Sequence, residues 1–119
     1  MSLGRWQVDS IYLYKNPVDM RKGADSLVLL ISEEMQLDVF SSSLFVFVSR
    51  DRAKIKLLVW ERNGFWLLSK KLLKQKYKLP KWFTSEKLTL SEQQLMDLLS
   101  GYDLNGMRPH ETLFLQHIR

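Results

Sequence analysis

The chain has 119 residues, of which 45% are hydrophobic and 26% charged, a balance typical of a globular domain and not of a disordered chain. It has no cysteine, which excludes disulfides and cysteine-ligated zinc, and no apolar run near the roughly 20 residues that span a bilayer. We therefore expect a single domain over residues 1–119 in the cytoplasm, without membrane segment, metal or cofactor.

The first part of the chain predicts one strand and one helix. Residues 8–14, VDSIYLY, alternate apolar side chains as a strand does. Asn16-Pro17 predicts a helix start, since asparagine caps helices and proline fits their first position. Apolar side chains then recur at three- and four-residue spacing, which predicts a helix over about residues 18–36.

The middle of the chain predicts a three-stranded meander. SLFVFV at 43–48 is apolar on both faces and predicts a buried central strand. IKLLVW at 55–60 predicts the second strand and the segment from Phe65 the third. Asn63-Gly64 predicts a tight turn between them.

Residues 70–82, KKLLKQKYKLPKW, fit two patterns. Lysines recur every fourth residue from Lys70, as on a helix, but also alternate with other residues from Lys74 to Lys78, as on a strand. Pro80 ends either element. We favour a strand, because the segment continues the meander.

The last predicted element is a short helix over residues 91–100. Ser91 and Gln94 have the spacing of a capping box, and Gly101 is placed to end the helix in the left-handed conformation. Residues 104–119 form a tail with an apolar patch at 113–115.

These elements predict an α+β fold. We expect a mostly antiparallel sheet of four to five strands. The long helix near 18–36 covers one face, and the helix at 91–100 closes an end.

The net charge of +5 is unevenly distributed. Residues 50–87 hold twelve basic residues and three acids, whereas the rest of the chain holds six basic residues and ten acids. Clustered positive charge is what a polyanion-binding surface needs, because each neutralised phosphate releases condensed counterions. The alternative is a solvated lysine-rich face, and charge alone does not decide between the two.

The heptapeptide PVDMRKG at 17–23 has three interpretations. In the first, the negative charge of Asp19 interacts favourably with the helix dipole, Gly23 allows close helix–sheet packing, and Arg21 and Lys22 are solvated. In the second, Arg21 and Lys22 contact DNA phosphate or an acidic patch of a partner protein. In the third, Asp19 forms an internal ion pair with an arginine that fixes the loop.

Three stretches in this order carry a resemblance to a known family: PVDMRKG after a strand, LFVFVSRDRAKIKLLVWERNGFWLLSKKL, and LTLSEQQLMDLLSG. They resemble the accessory protein encoded by the second open reading frame of insertion-sequence-66-type bacterial transposable elements, often called TnpB. The resemblance covers about residues 10–103 and is most specific at 19–23, 56–60 and 63–65. It implies a helper protein that acts in transposition beside a larger transposase.

The resemblance also bears on the charged residues. It is strongest at the charged positions of PVDMRKG, which favours the functional interpretation of Arg21 and Lys22. Residues 49–52, SRDR, fit the family loosely. The segment 70–82 departs from the family, because it carries almost only lysine where relatives mix in arginine and glutamate; this departure weakens the case for sequence-specific contacts there, but not for a basic surface.

The sequence does not predict an enzyme. A DDE-type transposase needs three metal-binding carboxylates on an RNase H-like core, and 119 residues with one meander and two helices are too few for it. No carboxylate pair has metal-ligand spacing, and there is no Gly-rich phosphate loop. We read His110 and His117, in the tail, as exposed histidines and not as a metal site.

Two functions remain. In the first, an accessory protein binds the DNA backbone through a basic surface. In the second, an adaptor docks on the transposase or another element-encoded helper through exposed aromatics and the tail. The aromatic candidates for stacking on unpaired bases are Trp60, Trp66, Tyr77 and Trp82. The residues predicted to bind DNA are Arg21, Lys22, Arg50, Arg52, Lys54, Lys56, Lys70, Lys71, Lys74, Lys76, Lys78 and Lys81.

Overall fold

The computed structural model describes residues 2, 3 and 6–106, with side chains from residue 7 to 105. The strands are β1 (Ser2–Leu3), β2 (Trp6–Gln7), β3 (Ser10–Tyr14), β4 (Ser43–Val48), β5 (Lys54–Glu61), β6 (Gly64–Lys71) and β7 (Lys87–Leu90). The helices are α1 (Ala24–Leu30), continued by a π-helix (Ile31–Met35), then α2 (Glu92–Leu99) and a 3₁₀ turn (Leu104–Gly106). β1 and β2 form a two-stranded ribbon, and the other strands form one sheet in the order β6-β5-β4-β3-β7. None of the described helices has the length and apolar content needed to cross a membrane.

The predicted architecture, a mostly antiparallel sheet under one long helix, is wrong, although an α+β class remains consistent with the structure. The sheet is mixed, because β3 pairs with β4 in parallel, with Ser10 opposite Ser43. The other ladders of the sheet are antiparallel. A parallel neighbour requires a crossover connection, and the helical segment between β3 and β4 provides it.

The helix predicted over 18–36 is confined to seven residues of α1 and five of the π-helix. The segment before it is held as an extended chain, because the Val18 N–H donates to the Val48 carbonyl and Val18 forms a parallel bridge with Ser49. The helical segment starts above β5, where Lys56 contacts the Lys22 carbonyl, and ends above β3 and β7. It therefore crosses the strands.

The meander β4-β5-β6 is confirmed, with Leu44 opposite Val59 in the first ladder and Glu61 opposite Gly64 in the second. The turn lies one residue earlier than predicted. Arg62 takes the left-handed conformation, with φ 54°, and Gly64 is already the first residue of β6. The hydrophobic pattern predicts the strands correctly, but the turn consists of Arg62 and Asn63 and not of Asn63 and Gly64.

The strand predicted over 70–82 ends at Lys71, and residues 72–86 have no regular structure. The start of this segment is bound to the β4–β5 turn: the N–H groups of Leu72 and Tyr77 donate to the carbonyls of Ala53 and Arg52, at 2.7 Å each. β7, a four-residue strand, was not predicted.

Both faces of the sheet are covered, because alternate strand residues point to opposite sides. On one face, Phe45, Phe47 and Leu58 pack against the helical segment, which buries Leu27 and Ile31 completely. On the other, α2 contributes Leu95 and Leu98 to a core with Leu13 and Val46. α2 thus covers a face and does not close an end as predicted.

The ends of α2 are as the sequence predicts. The Ser91 hydroxyl accepts from the Gln94 N–H and the Gln94 side chain accepts from the Ser91 N–H, which completes the capping box. Gly101, with φ 88°, follows the helix in the left-handed conformation.

Candidate nucleic-acid interface

Strand directions bring basic residues to one end of the sheet. β3, β4 and β6 finish at this end, and β5 and β7 begin there. We call it the basic end, because its strand termini carry Lys15, Arg50, Arg52, Lys54, Lys70, Lys71 and Lys87. The opposite end carries carboxylates at the corresponding positions, namely Asp9, Asp38, Glu61 and Glu92, with Arg62 as an exception. Asp51 and Glu86 also lie at the basic end, but the seven basic residues outnumber them, so the molecule is electrically polarised along the strand axis.

The lysine-rich segment lies against the basic end. Besides the two backbone bonds to the β4–β5 turn, the Lys76 ammonium donates to the Asp51 carbonyl at 2.8 Å. These contacts hold residues 72–77 beside the turn that carries Arg50 and Arg52. Two basic stretches that are more than twenty residues apart in the chain therefore form one surface.

The predicted DNA-binding residues fall into two groups. Four are engaged within the molecule: Arg21 with Asp19, and Lys56, Lys70 and Lys76 with main-chain carbonyls. Of the others, six lie at the basic end without a side-chain hydrogen bond or ion pair to any described residue. We call them the basic cluster: Arg50, Arg52, Lys54, Lys71, Lys74 and Lys78. Lys22 and Lys81 are exposed elsewhere, Lys81 beside Asn105.

One pair within the basic cluster is unfavourable without a counterion. Lys54 and Lys71 are directly opposite in the β5–β6 ladder, so their side chains share a face. Like charges in opposite positions of a ladder destabilise it. A phosphate bound between them would remove that repulsion. The one-dimensional sequence does not show this pair, because it depends on the register of the hairpin.

Carboxylates limit the positive surface on its other side. Near β3 and β7, the Tyr14 hydroxyl donates to Glu34 at 2.7 Å and the Asn16 amide donates to Glu86 at 2.8 Å. Lys15, which is not among the predicted DNA-binding residues, lies on this side. The positive surface is thus confined to the β4–β6 half of the basic end.

PVDMRKG shows the third of its predicted interpretations. The exposed Arg21 guanidinium binds the Asp19 carboxylate through Nε and Nη2, with the shortest distance 2.6 Å, and the Arg21 N–H donates to the same carboxylate. Asp19 is outside the helix, so the dipole interpretation fails. Nothing lies within 4 Å of a Cβ built on Gly23, so close packing does not explain the glycine.

The hydrogen bonds from Arg21 hold the pKa of the Asp19 carboxyl well below its ordinary value. A lowered pKa means that the ion pair stabilises the fold above the ordinary aspartate range, near pH 4, and that this contribution is lost only as the pH falls further. In a ¹³C NMR titration, we expect Asp19 to stay ionised at about pH 4. Arg21→Ala should return its titration to the ordinary range, and Lys22→Ala should change it little. An unchanged titration in Arg21→Ala would contradict the ion pair.

Lys56 joins PVDMRKG to the sheet. Its ammonium donates to the carbonyls of Met20 and Lys22, at 2.6 and 2.9 Å. The loop and the β4–β5 turn border an open pocket of about 560 Å³, lined by Pro17, Val18, Asp19, Met20, Ser49, Arg50, Asp51 and Lys54. Three segments by which the chain resembles its suggested family, 17–23, 49–52 and the strand at 56–60, thus meet at one place.

The four aromatic residues predicted to stack on unpaired bases differ in exposure. Tyr77 is fully buried, and Trp60 packs edge-on against Phe40 and Phe65, with ring centroids 4.9 and 5.1 Å apart. Trp66 and Trp82 are 47% and 42% exposed, and the Trp66 indole N–H donates to Glu61 at 2.7 Å. Trp66 belongs to the first half of β6, away from the basic end.

Two further predictions concern a metal site and the tail. Among the described residues, no three acidic or histidine side chains are grouped as metal ligands. His110, His117 and the apolar patch at 113–115 lie outside the described part of the chain.

Comparison with known proteins agrees with the resemblance. The model of the family described as IS66 Orf2 like protein matches residues 9–109. Two Sinorhizobium fredii proteins are similar: uncharacterized protein y4hO, 31% identical over 86% of each chain, and uncharacterized protein y4jC, 27% identical over 78% of this chain and 79% of its own. No solved structure matches significantly. The chain therefore belongs to the IS66 Orf2-like family and is a transposition-associated accessory protein.

Proposed function

We propose that this protein binds DNA through the basic cluster during transposition, and that it acts beside the transposase without catalysis of its own. The observation that carries the proposal is the gathering of six cations on one half of one end of the sheet, none of which has a side-chain hydrogen bond or ion pair to a described residue. Charges that merely keep a protein in solution would be spread over it, with both signs interspersed.

The geometry fits backbone binding better than base reading. The cations come from a turn, the terminus of a hairpin and an irregular segment, so no helix presents a row of side chains to a groove. Flexible lysines contact phosphates as point charges. We therefore expect similar affinity for unrelated sequences, with the transposase or another element-encoded helper supplying the choice of site.

Fluorescence anisotropy with transposon-end and scrambled duplexes, over a salt series, tests the proposal. If all six cations of the basic cluster neutralise phosphates, the logarithm of the association constant should fall against the logarithm of salt concentration with a slope of about −5. Single-stranded DNA should give a shallower slope, since its charge density is lower. Absence of binding at low salt would refute the proposal.

A second candidate function is an adaptor that docks on the transposase. Leu73 favours it, because this large apolar side chain is 91% exposed in the middle of the lysine-rich segment. Exposed apolar anchors surrounded by polar groups are typical of protein interfaces. Binding to purified transposase that resists salt and depends on Leu73, with no affinity for DNA, would replace the first function with this one.

A further inference from the structure

The two edges of the main sheet differ. β7 is a short edge of four residues, whereas β6 is an edge of eight residues whose outer side pairs with no strand in the described part of the chain. β6 is also exposed on one face, where Trp66 is 47% and Leu68 40% accessible. A long exposed edge strand with apolar side chains is a template for pairing with another strand.

We propose that β6 pairs with β6 of a second copy of this chain, antiparallel about a two-fold axis at Leu68. This pairing would join two five-stranded sheets into one sheet of ten strands. It is isologous, as the interfaces of most dimers are, because both copies contribute the same strand. The proposal does not rest on DNA binding, and the two share one residue, Lys71.

The pattern of side chains along β6 is complementary to itself in this register. With Leu68 opposite Leu68 of the second copy, Trp66 is opposite Lys70 and Phe65 is opposite Lys71, each twice by symmetry. Aromatic and cationic side chains in opposite positions attract one another, and tryptophan is the best partner for a cation. Lys70 already donates to the Leu99 carbonyl, but its ammonium has two further hydrogens.

Neighbouring registers lose this complementarity. Only registers that shift by two residues keep matching faces of the two sheets together. A shift in one direction centres the axis on Leu67 and places Lys70 opposite Gly64. A shift in the other centres it on Ser69 and leaves Trp66 opposite Leu72. A further step in that direction sets Lys70 against Lys70, which repels.

Cysteine cross-linking tests both the contact and its register. The chain has no cysteine, so Leu68→Cys introduces the only thiol. Opposite residues of antiparallel strands have Cα atoms about 4.5 to 5.5 Å apart, within the range of a disulfide. Under mild oxidation, we expect Leu68→Cys to become a covalent dimer in high yield. Met96→Cys, at the same 40% exposure on α2, is the matched control and should stay monomeric.

The register is tested with two further variants. Trp66→Cys alone should not cross-link, because its two copies are separated by four residues along the strand, roughly 13 Å. Trp66→Cys combined with Lys70→Cys should cross-link, since the thiol at position 66 of each copy then lies opposite the thiol at position 70 of the other copy. Cross-linking of Trp66→Cys alone at the yield of Leu68→Cys would overturn the register.

Sedimentation of the unmodified protein tests the dimer without any thiol. We expect the unmodified protein to be a dimer at high micromolar concentration. Trp66→Lys should dissociate the dimer, because the new lysine lies opposite Lys70 of the second copy. Adding Lys70→Glu to Trp66→Lys should restore the dimer. A monomer for the unmodified chain, together with equal cross-linking of Leu68→Cys and Met96→Cys, would overturn the proposal.

Discussion

Replacing Lys71, Lys74 and Lys78 together by glutamate should weaken duplex DNA binding at least about a hundredfold at moderate salt, measured by fluorescence anisotropy. It should also make the salt slope shallower by about 2.7, since each lost phosphate contact removes about 0.9. The three side chains have no partner among the described residues, so the melting temperature should stay within a few degrees. Lys70 and Lys76 are left unchanged because their ammonium groups already donate to main-chain carbonyls.

A pair of single variants separates the position of a charge from its amount. Lys74→Glu and Arg62→Glu change the net charge equally, but Arg62 lies in the β5–β6 turn, at the opposite end from the basic cluster. We expect a several-fold loss of affinity for Lys74→Glu and little for Arg62→Glu. Equal losses would mean that total charge, and not the basic cluster, governs binding.

Lys56→Met should lower the free energy of unfolding by about 2 kcal/mol, because two hydrogen bonds from a charged donor are lost and two loop carbonyls lose their partner. For a domain of this size, the melting temperature should fall by roughly 6–12 °C. Thermal unfolding followed by circular dichroism measures this. The loss should also show as faster hydrogen exchange in residues 17–23.

Lys54→Met is the matched control for Lys56→Met. Lys54 is two residues earlier on the same strand and the same face, and its ammonium has no hydrogen-bond partner among the described residues. We expect a change within about 0.5 kcal/mol. The order of the two variants should be the opposite for DNA affinity, which Lys54→Met should lower more than Lys56→Met. If both unfold alike, the anchoring role of Lys56 is wrong.

The sequence correctly predicted those helices and strands that are determined by residues close together in the chain. β4, β5 and β6 follow from apolar patterns, and α2 follows from Ser91 and Gln94, which form the capping box by themselves. The helix boundary was misplaced because Asn16-Pro17 also fits a turn, and the contact that decides it is the distant bridge of Val18 with Ser49. Nor does a local pattern show that β3 pairs in parallel.

The candidate site was predictable in composition but not in detail. The excess of lysine in residues 50–87 indicates a basic surface. It does not indicate that Lys56, Lys70 and Lys76 are engaged, because their acceptors are main-chain carbonyls, which every residue has. Only the folded register separates these anchoring lysines from the basic cluster.

The position of β3 between β4 and β7 has a consequence for how the chain folds. The meander β4-β5-β6 closes through neighbours in sequence, whereas β3 needs residues 43–46 on one side and 87–90 on the other. Contacts of large sequence separation form late, because the loops that join them must close first. During synthesis the first strand of the sheet to emerge is therefore the last to be completed. Refolding should be limited by its insertion between β4 and β7.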